Sequence, residues 1–453
     1  MRKLKLTALL FIFGLIATTT TAQENISLSL EEAKSYALEN NKEIKNAQLD
    51  VLIAKKKIWE TTAQGLPQID AKIAYQNIFK VPTLNFATPV LNSTPNENYP
   101  GVFDYEMDYK SSPIKLGTKQ STTIDFTISQ LIFSGSYIVG LQTSKVYKQL
   151  TLDQQNKSEQ NIKSQITNSY YLILILQENA NIISNTLKNL STTEYEIKEM
   201  LKEGFVESTD LDQITLTKSN VENGIRTLNQ QIAISYDLLK MQLGIFNDSK
   251  ISLTDNLQNI ISNLPEDALT NKKFVVDNNI TYQMLETQEK LNKLNVSLKK
   301  SEFLPTVAAF YNHQEKTTKA DFDFAFPNIV GVNVSIPIFH SAGRFSKVSQ
   351  AKLELEKTRN QKSQAVQGLQ IAYKKAKNDF TTAVANFNNQ KTNMKIAQRI
   401  YDKTLLKYKE GVSSSMDLTQ SNNQLLDSQS KYFQSLLTLL QTKVELNTIL
   451  NNL

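Results

Sequence analysis

The side chains able to do chemistry in this sequence are almost all carboxylates. There are 44 Asp and Glu residues, against two His (His313 and His340) and no Cys. Without Cys there is no thiolate nucleophile, disulfide framework or iron–sulfur ligand. Two distant imidazoles do not make a His-based metal site. No Ser-His-Asp set, metal-spaced cluster or glycine-rich phosphate loop is present. An enzyme is therefore not expected, nor any cofactor or bound metal. The Asp residues that stand out do so by recurrence. Asp210 follows Lys202-Glu203-Gly204-Phe205-Val206, and Asp417 follows Lys409-Glu410-Gly411-Val412-Ser413. An acid just after a glycine, at the start of an apolar-periodic run, reads first as a helix N-terminal residue favoured by the macrodipole.

That recurrence belongs to a duplication of the whole chain. The Gly-Asp segments are offset by 207 positions. Leu66-Pro67-Gln68-Ile69 recurs as Leu304-Pro305-Thr306-Val307, and Asn40-Asn41 as Asn278-Asn279, both at offset 238. Ile132-Phe133 recurs as Ile338-Phe339 at offset 206. The first copy thus carries roughly 30 extra residues between its two strand-like segments.

The elements that position the acids follow from periodicity. Leu369, Tyr373, Ala376, Phe380, Ala383 and Phe387 keep a 3-4 spacing, and Ile162, Ile166, Ile173 and Leu176 keep the same register in the first copy. A seven-residue apolar repeat of this length predicts coiled-coil-like packing, with the stripe as a buried face. Helices are expected over Leu141–Glu203 and Phe345–Glu410, each roughly 95 Å long at 1.5 Å per residue. Gly204 and Gly411 end them, as left-handed C-terminal glycines do. Ser208-Thr209-Asp210 and Ser414-Ser415 offer caps for return helices of roughly 37 residues. Helices over Glu31–Ala63 and Tyr282–Ser301 are expected to stack end to end with those return helices.

Four segments alternate with period two: Gln68–Asn77, Thr123–Gln130, Thr306–His313 and Val330–Ile338. In the last, Val330, Val332, Val334, Ile336 and Ile338 oppose Gly331, Asn333, Ser335 and Pro337. About ten residues with one apolar and one polar face is the pattern of a transmembrane β-barrel strand. A half-buried strand of a soluble sheet alternates in the same way. The amino terminus favours the membrane. Arg2, Lys3 and Lys5, an apolar run from Ala8 to Ala17 and Thr20-Thr21-Ala22 make residues 1–22 a secretory signal peptide. Removing it takes three cations from a formal charge of +6, so the basic balance does not indicate nucleic acid. Four strands cannot close a barrel, since single-chain barrels start at about eight. Open edges cannot sit in lipid, so a membrane reading demands an oligomer. Three copies would supply twelve strands.

The duplication, the signal peptide, Leu30-Glu31-Glu32-Ala33 through Asn40-Asn41, and the Leu-Pro before each first strand carry a resemblance. So do Phe133 and Phe339 with Gly135 and Gly343, and the Gly204/Asp210 and Gly411/Asp417 turns. Together they resemble the outer-membrane efflux family, the TolC-like channels, over essentially the whole mature chain. The resemblance implies a mainly α fold with a β-barrel. Each protomer would give four transmembrane strands and long coiled-coil-like helices to a homotrimer with a twelve-stranded barrel and an α-helical tunnel. It implies a passive exit duct of a tripartite efflux pump or type I secretion system. Such a duct sits in Gram-negative outer-membrane lipid with a large periplasmic portion. Its partners would be a periplasmic adaptor and an inner-membrane transporter.

On that resemblance the chain divides into a first repeat at 23–245 with its tip near 204–210, an inter-repeat segment at 246–276, and a second repeat at 277–453 with its tip near 411–417. Residues 79–121, with Pro82, Pro89, Pro95, Pro100 and Pro113, would be an extracellular loop, and Glu315–Pro327 its shorter counterpart. Gly204 and Gly411 would mark the adaptor-docking tip. Asp210 and Asp417 would line the entrance, where a carboxylate ring favours cations and mutual repulsion raises its apparent pKa. Gln213 and Gln420 stand where the family has a second acid, and Ser413 where some members have an arginine. Tyr408 keeps the family tyrosine. Trp59 reads as either an interfacial anchor or core. The competing reading is a periplasmic or surface coiled-coil scaffold. It fits the heptads but leaves the paired strands unexplained.

Overall fold

A computed structural model describes residues 25–246, 249–264, 269–319 and 326–453. The signal-peptide reading at 1–22 lies outside the described residues. In chain order the elements are β1 (Asn25–Leu28), α1 (Leu30–Asn40), α2 (Lys42–Ala63), β2 (Gln68–Asn77), β3 (Thr83–Pro95), β4 (Phe103–Lys115), β5 (Gln120–Ser134), α3 (Gly135–Lys202) and α4 (Ser208–Leu243). They continue as β6 (Lys250–Leu253), α5 (Leu257–Ser262), α6 (Ile280–Ser301), β7 (Thr306–Lys316), β8 (Asn328–Ser335), α7 (Gly343–Lys409) and α8 (Ser415–Ile449). The 68 residues of α3 rise about 100 Å at 1.5 Å each. Among the described residues, no helix is long and apolar enough to cross a membrane.

The chain forms two compact units. One comprises residues up to Val51, Leu150–Glu286 and Asn360–Leu453; the other comprises Leu52–Gln149 and Thr287–Arg359. The first unit holds the apolar core. Ile166, Tyr170 and Ile173 of α3 pack there with Leu239 and Leu243 of α4, Phe380 of α7, and Leu436, Leu439 and Leu440 of α8. The Tyr170 hydroxyl donates to Leu28 O at 3.0 Å and accepts Asp255 N–H at 3.2 Å. In turn the Asp255 carboxylate accepts Leu30 N–H at 2.7 Å. These bonds tie α3 to the short parallel pair β1–β6, in which Asn25 faces Lys250.

The recurring Asn-Asn pairs have a structural role in this unit. Asn41 Oδ1 accepts Glu43 N–H at 2.7 Å, capping α2, while its Nδ2 donates to Gln242 O at 2.7 Å, at the end of α4. Asn279 does the same 238 positions later, accepting Thr281 N–H at 3.0 Å and donating to Ile449 O at 3.2 Å. One side chain thus satisfies the orphan donors of one helix and an orphan carbonyl of another. This is how the expected end-to-end stacking is made. It also breaks the helix expected over Glu31–Ala63 into α1 and α2. Gly244 closes the joint: its φ is 78°, and a Cβ there would stand 2.5 Å from Asn40 O.

The second unit contains the four-stranded antiparallel sheet, ordered β2-β5-β7-β8. Gln68 faces Ser129 in β2–β5, Phe126 faces His313 in β5–β7, and Thr306 faces Ser335 in β7–β8. The alternation predicted this sheet, but β8 stops at Ser335, before Pro337, which lacks the N–H a ladder needs. One sheet face is apolar and uncovered: Ile73 is 71% exposed and Val330 81%. Trp59 is also exposed, which removes the core reading of it.

Residues 79–121, expected as a loop, contain a β-hairpin, β3–β4, in which Thr83 faces Lys115 and Pro95 faces Phe103. Its prolines obscured it. Leu116 N–H donates to Pro82 O and Asn96 N–H to Val102 O. Alternate pairs therefore carry the ladder bonds, and Pro89, Pro95 and Pro113 fall at the positions between, whose N–H points away from the partner.

Asn41→Ala should destabilise the first unit by about 1–2 kcal/mol through the lost cap. Asn279→Ala should do the same at the other joint. Denaturant titration of the detergent-solubilised protein measures both, and equal midpoints for variants and parent would show that the caps do not hold the joints.

Candidate functional site: the helix-hairpin tips

The tips are the two turns that link α3 to α4 and α7 to α8. Phe205 N–H donates to Met200 O at 2.9 Å and Gly204 N–H to Leu201 O at 3.1 Å. Val412 N–H donates to Lys407 O at 2.9 Å and Gly411 N–H to Tyr408 O at 3.0 Å. This pair of hydrogen bonds closes a helix when the intervening residue is left-handed, and Gly204 and Gly411 have φ of 77° and 71°. Both glycines therefore sit where the sequence placed them, at the turn.

The acids begin the return helices. Asp417 accepts the Ser414 N–H at 3.1 Å, the Ser414 hydroxyl at 2.7 Å and the Ser413 hydroxyl at 3.2 Å. Ser414 Oγ accepts Asp417 N–H at 3.1 Å, which completes a capping box. The Ser414 hydroxyl, followed by its backbone N–H and the Ser413 hydroxyl, holds the Asp417 carboxyl below its ordinary pKa. These local donors act in the opposite direction to the mutual repulsion expected within a carboxylate ring. Asp210 accepts Glu207 N–H at 3.1 Å, so Glu207 and not Ser208 is the capping residue of α4.

The two tips are joined. The buried Ser415 donates its hydroxyl to Asp210 and lies 3.1 Å from Gln213 Oε1. Ser208, its counterpart 207 positions earlier, is exposed. Tyr408 is buried in a small cluster with Ile197, Ile214, Tyr401 and Leu418. Burial raises its pKa, and the nearby Asp210 charge adds to the rise. Its hydroxyl has no hydrogen-bond partner among the described residues. Gln420 is exposed on α8. The structure thus brings Asp210, Gln213 and Ser415 together, sets Tyr408 near Asp210, and leaves Asp417 and Gln420 on the surface.

Sequence reasoning missed the Ser415–Asp210 contact, because each side chain has an ordinary local role at a helix start. It also missed the salt links beside the tips. Lys218 lies 2.7 Å from Glu194, whose pKa it lowers, and Lys409 lies 3.0 Å from Glu196. A cleft of about 800 Å³ in the same unit is lined by Asn185, Asn189, Gln398, Arg399, Tyr401 and Gln429. The Tyr401 hydroxyl, Gln429 Oε1 and both amide atoms of the fully buried Asn422 lack partners among the described residues.

Residues 277–452 match the family description "Outer membrane efflux protein". The second repeat is thus similar to that family. The whole chain shares its fold with solved outer-membrane channels. CusC, whose structures concern folding and transmembrane channel formation, is 15% identical, with a TM-score of 0.72 over 93% of this chain and 92% of that one. The CmeC outer membrane channel of Campylobacter jejuni is 15% identical, with a TM-score of 0.69 over 93% and 85%. The open-state MtrE outer membrane channel of Neisseria gonorrhoeae is 14% identical, with a TM-score of 0.67 over 96% and 93%. No curated protein matches the sequence. The outer membrane efflux match covers the second repeat, and the offsets carry the same element order into the first.

A depressed carboxylate pKa contributes stability above the unfolded value of about 4, and that contribution is lost as pH falls through the folded value. The protection of residues 411–417 against hydrogen exchange, relative to the intrinsic rate at each pH, should therefore be high at neutral pH and fall below about pH 4. In Asp417→Asn that fall should be absent. The same acid response in both proteins would remove the carboxylate from the account of the tip.

Proposed function

We infer that the chain is the outer-membrane exit duct of a tripartite efflux pump or type I secretion system. It conducts cargo passively from the periplasm to the exterior and does no catalysis. The observation that carries this reading is the sheet of the second unit. It has one uncovered apolar face, a polar face and two unpaired edges, and it stands in a chain whose second repeat matches the outer membrane efflux protein family. Such a sheet meets water badly on one face, and its open edges cannot remain unpaired in hydrocarbon. Three copies supply twelve strands, within the range of closed membrane barrels. The long helices continue from the strands as the periplasmic tunnel.

On this reading the energy comes from an inner-membrane transporter, and a periplasmic adaptor meets the duct at the Gly204 and Gly411 turns. Asp210 and Asp417, with Gln213, Gln420 and Tyr408, surround the entrance. A ring of carboxylates in a narrow throat attracts cations and repels anions. The donors around Asp417 support this role, since they keep its carboxyl ionised at neutral pH.

Electron imaging of the mature protein in detergent tests the reading. Threefold hollow particles with a detergent belt at one end are expected. A solid particle that is monodisperse without detergent would replace the duct with the coiled-coil scaffold. For the entrance, planar-bilayer recordings of Asp210→Asn/Asp417→Asn should lose most of the cation preference of the parent channel. An unchanged reversal potential in a salt gradient would take these acids out of the throat.

A further inference from the structure

The unpaired edges of the sheet belong to β2 and β8. We propose that β8 pairs with β2 of a second copy of this chain in a defined register, Asn333 opposite the neighbouring copy's Ala74. This rests on the duct reading and adds what that reading leaves open: which residues meet across the subunit boundary.

The register is already present once inside the chain. Strand β5 is the second strand of the first repeat and β8 the second strand of the second repeat. Strands β2 and β7 are the two first strands. Pairing β5 with β7 is therefore the internal equivalent of pairing β8 with the next copy's β2. The sequence offsets are 206 for the second strands and 238 for the first strands. The structure tests the sum of those offsets, while their difference, which sets the interface register, rests on the Leu66-Pro67/Leu304-Pro305 and Ile132-Phe133/Ile338-Phe339 recurrences. In the first repeat Ile73 faces Ile124 and Gln68 faces Ser129. Shifted by the two offsets, these pairs become Tyr311 with Val330 and Thr306 with Ser335, which are the observed partners in the second repeat. The two hairpins are thus in equivalent register, and the summed offset holds for backbone geometry as well as for residue type.

Applying the same shift to β5–β7 yields the missing interface. Phe126 opposite His313 becomes Val332 opposite the neighbour's Tyr75, and Ile128 opposite Tyr311 becomes Val334 opposite the neighbour's Ile73. Thr127 opposite Asn312 becomes Asn333 opposite the neighbour's Ala74, and Ser129 opposite Phe310 becomes Ser335 opposite the neighbour's Lys72. The derivation did not use side-chain polarity, yet the faces agree: apolar Val332 and Val334 meet apolar Tyr75 and Ile73. A slip of one residue would turn every side chain of one strand to the other face. The same operation repeated from copy to copy is a head-to-tail contact that closes into a ring. Hydrogen bonding selects the pair to probe. Thr317 N–H donates to Thr122 O at 3.0 Å, so Thr127–Asn312 is a pair without ladder bonds. Its counterpart, Asn333–Ala74, is then the kind of pair whose side chains stand closest.

The absence of Cys makes the test direct. Asn333→Cys/Ala74→Cys, expressed in the full chain and oxidised in membranes, should run as a covalent trimer on a non-reducing gel and as a monomer after reduction. Ser335→Cys/Lys72→Cys should do the same. Opposed Cβ atoms are about 4.5–5.5 Å apart, whereas diagonal neighbours are about 7–8 Å apart, beyond ordinary disulfide reach. Asn333→Cys/Lys72→Cys and Asn333→Cys/Gln76→Cys should therefore stay uncrosslinked, as should each single variant. Light scattering of the reduced variants in detergent separates the two levels of the argument. Trimers that crosslink only through a diagonal pair, or through no pair, overturn the register and leave the duct. Monomers in detergent for the variants and the parent alike overturn both.

Discussion

A peptide group in hydrocarbon has no water to bond, and an unsatisfied N–H or C=O there costs several kcal/mol. On the duct reading, the sheet answers that constraint. Within the sheet, β5 and β7 have partners on both sides, whereas β2 and β8 each have one. The sheet is thus an arc rather than a complete object. The duplication makes the arc extendable, because the edge it ends on is the equivalent of an edge it has already paired internally.

The helical part faces a different accounting. A long helix satisfies its own backbone except in its first and last turns, so trouble concentrates at the ends. Several of these ends are closed by short polar side chains and glycines. Asn41 and Asn279 each serve two helix ends at once. Gly204 and Gly411 allow the left-handed turn, and Ser414 with Asp417 caps the helix that follows. The acids at the tips therefore have a structural function whatever passes them. A capping carboxylate near a helix N-terminus is also one that stays charged.

The two repeats are not equal at the tips. Ser415 of the second repeat reaches Asp210 of the first, while Ser208 is exposed. Within one chain the first repeat's acid is bound across the hairpin pair and the second repeat's acid is bound only to its own turn. The unpartnered hydroxyls of Tyr401 and Tyr408 and the amide of Asn422 lie in the same region. Polar groups in an apolar cluster weaken packing relative to hydrocarbon side chains.

Much of this was legible in the sequence for a local reason. Helix and strand periods depend on residues two to four positions apart, so the long α3 and α7, the strands β2 and β7 and the turn glycines follow from spacing alone. The repeat offsets also come from sequence, and they matched the sheet register when carried onto Ile73 and Ile124. What spacing could not supply was any contact between residues distant along the chain. Asn41 to Gln242, Ser415 to Asp210 and Tyr170 to Leu28 exist because packing brings together side chains that each have an ordinary local role. The β3–β4 hairpin was hidden for a related reason. Proline reads as a breaker until the pairing shows that its missing N–H points away from the partner strand. The sequence by itself determined the periods, the ends and the doubling. Only the tertiary structure decided which backbone groups bond to each other and which edges remain open, because that depends on where the chain returns in space.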